Sequence, residues 1–202
     1  DPHLDLNLPS IWYEIQLFSP SVNVYGVTIP GAPSVLIGFN QKIAWGMTSG
    51  GDDVTDWYQI KFRDDTLNEY FHDDTWKPTT RITEEIKVRG EKKIQDTVVY
   101  THHGPIPLYS DEETFDGNIP RLHAMRWLGH DPSNEFLTFY RLNRAQDYQD
   151  YVAALSHYSC PAQNFVFADT AGDVAIWHNG KFPLRFQRQA RFINDGANPE
   201  HD

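Results

Sequence analysis

Between positions 11 and 62 glycine, proline and asparagine cut the chain into short apolar and aromatic runs, a spacing that suits consecutive strands rather than helices. Residues 11–18 (IWYEIQLF) and 22–28 (VNVYGVT) read as two strands joined by Ser19, Pro20 and Ser21. Pro30, Gly31 and Pro33 interrupt the pattern before residues 35–39 and 42–48, which pair through Asn40 and Gln41. Residues 56–62 form a further aromatic strand. The opening third is therefore expected to be a run of antiparallel strands with one buried face. From 63 to 80 the sequence turns acidic and polar around Trp76 and Pro78. Alternating runs at 81–88 and 93–101 then flank Arg89, Gly90, Glu91 and Lys92 as a hairpin, so 63–101 reads as an excursion or small subdomain. Residues 122–127 are one more short strand.

Helical spacing arrives late. Asp131 and Pro132 offer a cap and a first-turn proline, and Phe136, Leu137, Phe139 and Tyr140 carry an apolar stripe to about Arg144. Behind Asp147, the residues Tyr148, Tyr151, Val152 and Leu155 repeat at the same period. Residues 164–168 and 174–178 return to strand around a turn with Gly172. The fold class is α+β, predominantly antiparallel β with two adjacent helices near 132–157.

Charge and composition narrow the function. The formal net charge of -11 and the lack of a lysine or arginine stripe exclude a nucleic-acid partner. No apolar run is long enough to span a bilayer. Among 202 residues, 40 % hydrophobic and 14 % aromatic, Cys160 is the single cysteine, which removes an internal disulfide and a multi-cysteine zinc site. A lone cysteine of this kind reads as a small buried hydrophobe rather than a nucleophile. The chain begins at Asp1 without methionine and stops at Asp202 in a polar loop, as expected of a processed piece or a fragment.

The stretch with the most chemistry is 31–56, GAPSVLIGFNQKIAWGMTSGGDDVTD. A strand runs into a glycine corner at Ser49, Gly50 and Gly51, where main-chain amides can be exposed to an anion. Asp52, Asp53 and Asp56 follow and can attract a cation. The adjacent His102 and His103 invite a metal reading, but neighbours on an extended chain point to opposite faces and are not expected to share one ion.

An ordered set of segments resembles the penicillin acylase family of N-terminal-nucleophile hydrolases. They are Asp1-Pro2-His3-Leu4, Trp12-Tyr13, Pro30-Gly31-Ala32-Pro33, Gly38-Phe39-Asn40, Ile43-Ala44-Trp45-Gly46, Thr48 and Asp53-Val54-Thr55-Asp56. His103-Gly104-Pro105, Arg126-Trp127, Ala168-Asp169 with Gly172, and Gly180 with Pro183 and Arg185 continue it along nearly the whole chain. The resemblance implies part of a four-layer αββα sandwich, with residues 1–202 a fragment of one domain of the larger subunit. It also implies a precursor that cuts itself into two chains, and a catalytic N-terminal serine that precedes the Asp-Pro-His-Leu segment and is missing here, so the fragment alone is expected to be inactive.

By the same resemblance, Ser49 supplies an oxyanion-hole amide and His3 lies beside the nucleophile. Leu4, Ile37, Met47, Phe139 and Gln163 line the acyl pocket. Asp53, the Thr55 carbonyl, Asp56 and the Pro183 carbonyl hold a structural calcium. The implied substrate is an N-acylated small molecule of penicillin, cephalosporin or acyl-homoserine lactone type. The implied partners are the small subunit and the rest of the large one, in the periplasm or outside the cell. Read without the resemblance, the same residues also suit a non-catalytic, calcium-stabilised, β-rich secreted binding module.

Overall fold

A computed structural model describes residues 8–90, 92–107, 120–187, 189 and 191–202. In chain order the first strands are β1 (Tyr13–Ser19), β2 (Val22–Thr28), β3 (Ile37–Asn40), β4 (Ile43–Ser49) and β5 (Thr55–Gln59). Then come β6 (Glu69–His72), β7 (Thr75–Pro78), β8 (Thr80–Ile86), β9 (Ile94–Thr101), β10 (Gly104–Ile106) and β11 (His123–Trp127). Helices α1 (Glu135–Leu142) and α2 (Tyr148–Leu155) precede β12 (Gln163–Asp169), β13 (Val174–Asn179) and β14 (Asn194–Asp195). The chain forms two compact units, one from Asp1–Asp52 and Asp131–Pro183, the other from Asp53–His130 and Leu184–Asp202.

The first unit is a six-stranded sheet in the order β1-β2-β3-β4-β12-β13, antiparallel throughout. One face packs on the two helices. Val24, Ile43, Trp45, Phe165 and Phe167 meet Phe139, Leu142, Tyr151 and Leu155 in a continuous apolar core. Two devices lock this layer. The buried Asn143 after α1 donates to the Val35 carbonyl at 2.7 Å and accepts from the Val35 amide at 2.9 Å, so one side chain satisfies both backbone groups of an unpaired residue. Gly26 and Gly38 face each other across β2 and β3, and a Cβ on Gly26 would lie 2.2 Å from the Ile37 carbonyl oxygen.

Helix α2 starts as its sequence requires, with the Asp147 carboxylate accepting from the Asp150 amide at 2.8 Å. Helix α1 does not start at Asp131 and Pro132; it begins at Glu135 after Asn134, which makes no side-chain cap bond. Glu135 instead accepts from the amides of Ser159 and Cys160 at 3.1 and 3.3 Å, a tertiary contact that local sequence cannot show.

The second unit holds two three-stranded sheets, β10-β9-β8 and β11-β5-β14, and the β6-β7 hairpin, around Tyr58, Ile60, Leu67, Tyr70, Val99, Ile106 and Ala124. Strand β5 therefore does not extend the opening sheet, as its place in the sequence suggested. The chain leaves that sheet at Gly50 and Gly51, and β12 takes the position beside β4. The β6-β7 hairpin was hidden in the polar stretch because its two-residue turn uses Asp73 and Asp74, at φ 50° and 54°, where glycine or asparagine would have announced it. No helix among the described residues is long and apolar enough to cross a membrane.

Candidate active-site corner and acidic turn

At the end of β4 the ladder to β12 closes with the Gly50 amide donating to the Ala162 carbonyl at 2.9 Å, while Ser49 stands opposite Gln163. Bonded and non-bonded pairs alternate in an antiparallel ladder, so the N–H of Ser49 is turned away from β12. The β3 pairing, Gly38 with Trp45 and Phe39 with Ala44, lies farther back along β4. The corner thus sets the Ser49 N–H outside the β4-β12 ladder, which the Gly50 N–H closes.

A chain of side chains holds that corner. Asn164 donates to the Ser49 carbonyl at 3.0 Å, its own oxygen lies 2.7 Å from His178 Nδ1, and His178 Nε2 lies 2.9 Å from Asp52 Oδ2. Gly50 is wedged among these groups. A Cβ there would fall 2.6 Å from Asp52 Oδ2 and 2.9 Å from both the Ala162 oxygen and His178 Cε1. Asn164 and His178 had no signal in the sequence, since neither lies near Ser49 along the chain.

The residues assigned to the acyl pocket divide between the two faces of the sheet. Met47 packs against the core beneath the helices, Gln163 shares the face of Phe165 and Phe167 by strand alternation, and Phe139 enters that core from α1. Ile37 belongs to the other face. A Cβ on Gly46 would be 3.2 Å from Val166 Cγ2 and 3.9 Å from Ile37 Cγ2. This second face carries an apolar groove of about 700 Å³ lined by Ala44, Gly46, Val166, Ala168, Val174 and Ile176. His3 and Leu4 lie outside the described residues.

In the second unit Asp53, Thr55 and Asp56 surround the guanidinium of Arg185. Its Nε donates to Asp56 Oδ2 at 2.9 Å and Nη1 to the Asp53 carbonyl at 2.7 Å, while Nη2 lies 3.5 Å from the Thr55 carbonyl. Asp56 is buried, and its second oxygen, Oδ1, has no hydrogen-bond partner among the described residues. Pro183 is the last residue of the first unit.

Other ionisable groups are tuned by burial. The Cys160 thiol is pushed up by burial and by the carboxylates of Glu135 and Asp131, which disfavours a nucleophilic thiolate. Desolvation, aided by neighbouring His102, lowers His103 to about 4.

Comparison with known proteins decides the lineage of this arrangement, for the model of the penicillin amidase family matches residues 1–202. The chain belongs to the penicillin amidase family. This family member is 29 % identical over 210 residues to the acyl-homoserine lactone acylase QuiP of Pseudomonas aeruginosa, with 100 % of this chain and 25 % of that protein covered. It is 25 % identical over 184 residues to the penicillin G acylase of Escherichia coli, covering 91 % of this chain and 21 % of the relative. Its fold matches the solved thermostable penicillin G acylase of Alcaligenes faecalis with a TM-score of 0.77 at 26 % identity, over 94 % of this chain and 33 % of that one. The chain thus spans about a quarter of the length of the curated relatives it matches.

Proposed function

We propose that the protein carrying these residues is an amidohydrolase that cleaves N-acylated small molecules of the penicillin, cephalosporin or acyl-homoserine lactone type. In this reading an N-terminal serine outside this chain attacks the amide carbonyl, and its own α-amine, which titrates near neutrality, takes the hydroxyl proton. Charge builds on the carbonyl oxygen, and the Ser49 N–H is one of the donors that receive it. The amine departs with a proton, and water then releases the acyl group from the serine. The observation that carries the reading is the Ser49 amide, directed off the ladder and braced by Gly50, Asn164 and His178. A preorganised main-chain donor of this kind contributes about 10²–10³-fold in kcat.

His3 is assigned the place beside the nucleophile, where an imidazole can orient it. Leu4, Ile37, Met47, Phe139 and Gln163 are assigned to the acyl pocket. Met47 and Gln163 lie nearest Ser49 along the sheet, one two residues before it and the other opposite it in the ladder. The partners are the small subunit and the remainder of the large one, and the compartment is the periplasm or cell exterior.

A structural calcium fits the acidic turn. Asp53, Thr55 and Asp56 offer hard oxygen donors within the second unit, and the buried Asp56 Oδ1, without a hydrogen-bond partner among the described residues, is the oxygen a cation would take while Oδ2 stays on Arg185. The ion would supply positive charge that fixes the turn and takes no part in the bond cleavage.

The test is turnover of the full-length protein across several acyl chains, with and without Gly50→Ala. The added methyl must displace the Ala162 carbonyl or Asp52, and moving an aligned donor by about 1 Å costs about 10²-fold. A folded Gly50→Ala protein with full kcat, or a parent that hydrolyses no acyl amide, would overturn the assignment.

A further inference from the structure

The turn between β9 and β10 corrects the argument that kept His102 and His103 apart. It is a two-residue hairpin loop, not extended chain, with Thr101 paired to Gly104, and the two imidazoles lie 3.8 Å apart between ring centroids. His72, at the end of β6, adds a third ring 4.1 Å from His102 and 5.5 Å from His103. Asp202 completes the group. Its carboxylate lies 3.3 Å from His72 Nε2, 3.5 Å from His102 Nε2 and 3.6 Å from His103 Nδ1. One ligand atom from each of the four falls within 4.8 Å of all the others.

These separations have a meaning. They are longer than the about 2.7–2.9 Å of a charge-assisted hydrogen bond. The three carboxylate–imidazole distances are close to the edge of about 3.3 Å of a tetrahedron whose corners stand about 2.0–2.1 Å from a central ion, and the ligand atoms as a set, within 4.8 Å of one another, need only a small inward shift of the rings to reach it.

The outer nitrogens point the same way. His72 Nδ1 is 3.0 Å and His103 Nε2 is 3.2 Å from the Gly196 carbonyl oxygen, and His102 Nδ1 is 2.9 Å from the Tyr70 hydroxyl. A carbonyl can only accept, so the nitrogens of His72 and His103 that face Gly196 are donors there. The other nitrogen of each ring is turned inward to the Asp202 carboxylate. That leaves the inward nitrogens and the carboxylate converging on one point, where a single cation can meet them all. His72 and His103 are buried, with side chains 4 % and 3 % exposed, whereas Asp202 is 41 % exposed, so the two rings are shielded and an ion would enter from the Asp202 side.

We propose that His72, His102, His103 and Asp202 form a site for one divalent transition-metal ion of the zinc class. Three imidazoles and one carboxylate suit zinc and disfavour calcium, which takes oxygen ligands. The second shell is already in place, since Gly196 and Tyr70 fix the rings as outer partners do in metal sites. The ion joins the β6 end, the β9-β10 corner and the segment around 196–202, all within the second unit, so its role is to hold that unit together. The site rests on no part of the acylase reading.

The experiment uses the full-length protein loaded with zinc or cobalt(II) and dialysed against a weak chelator. The expected result is one equivalent of zinc that raises the melting temperature, and an intense visible band with cobalt from a tetrahedral nitrogen and oxygen set. His103→Ala removes both, and because that buried variant can fail to fold, His102→Gln and Asp202→Asn serve beside it. Those two are more exposed and are expected to fold, keep the parent circular dichroism spectrum, and bind zinc at least about 100-fold more weakly, beyond the loss of an outer partner. A folded parent that takes up no zinc at micromolar concentration overturns the proposal. Zinc binding that is unchanged in His102→Gln and Asp202→Asn overturns it equally, because the ion then sits elsewhere.

Discussion

The acidic turn at Asp53 to Asp56 and the histidine corner at His102 and His103 belong to one unit and both gather groups that attract a cation, yet they stand in opposite states. The acidic turn already holds one cation, because Arg185 reaches two backbone carbonyls and one oxygen of the Asp56 carboxylate, which leaves the other oxygen to the proposed ion. The histidine corner gathers inward nitrogens and the Asp202 carboxylate, and among the described residues no lysine or arginine forms an ion pair with that carboxylate. Density of acidic residues in a sequence therefore does not by itself measure how much charge is left for an ion. What decides it is how much of that charge the fold balances with an arginine at the same point.

Removing the resident cation is the strongest way to break this comparison. Arg185→Met leaves the buried Asp56 carboxylate uncompensated and is expected to cost about 3–5 kcal/mol in chemical denaturation. Calcium should then raise the melting temperature of the variant more than that of the parent. A cost below about 1 kcal/mol would mean that the turn is not held by the guanidinium.

A smaller effect sharpens the other side. Tyr70→Phe deletes the hydroxyl that meets His102 Nδ1 without touching a proposed ligand, and zinc affinity measured by chelator competition should fall about 10-fold or more. If zinc binding is indifferent to that hydroxyl, the outer shell does not orient the ring. The smallest change is expected for Asp53→Asn. Its carboxylate is more than half exposed and lies 3.6 Å from Arg185 Nη2, so loss of this pair should change stability by no more than about 1 kcal/mol. The same variant should still weaken a calcium-dependent rise in melting temperature.

Much of the fold was legible because its signals are local. Asp147 ahead of Tyr148, Tyr151 and Leu155 specifies α2 through a cap and a 3.6-residue period, and the structure uses that cap. The alternating runs before Gly50 and around Gly172 became β1 to β4, β12 and β13 for the same reason. Partner choice was not legible. Strand β5 has the pattern of its predecessors but pairs with β11 and β14, and Glu135 gives up a plain helix start for the amides of Ser159 and Cys160. The site divides along the same line. Ser49, Gly50 and the three aspartates stand out from composition alone, whereas Asn164, His178 and Arg185 join them only across more than a hundred residues of chain.

The sequence by itself determined an antiparallel α+β chain with a glycine corner, an acidic turn and an adjacent histidine pair, because turn chemistry, periodicity and side-chain type act over a few residues. Only the tertiary structure decided that Arg185 neutralises the aspartates and that His72 and Asp202 converge on His102 and His103. Charge compensation depends on distances of about 3–4 Å between groups far apart in the chain, and those distances are set by packing.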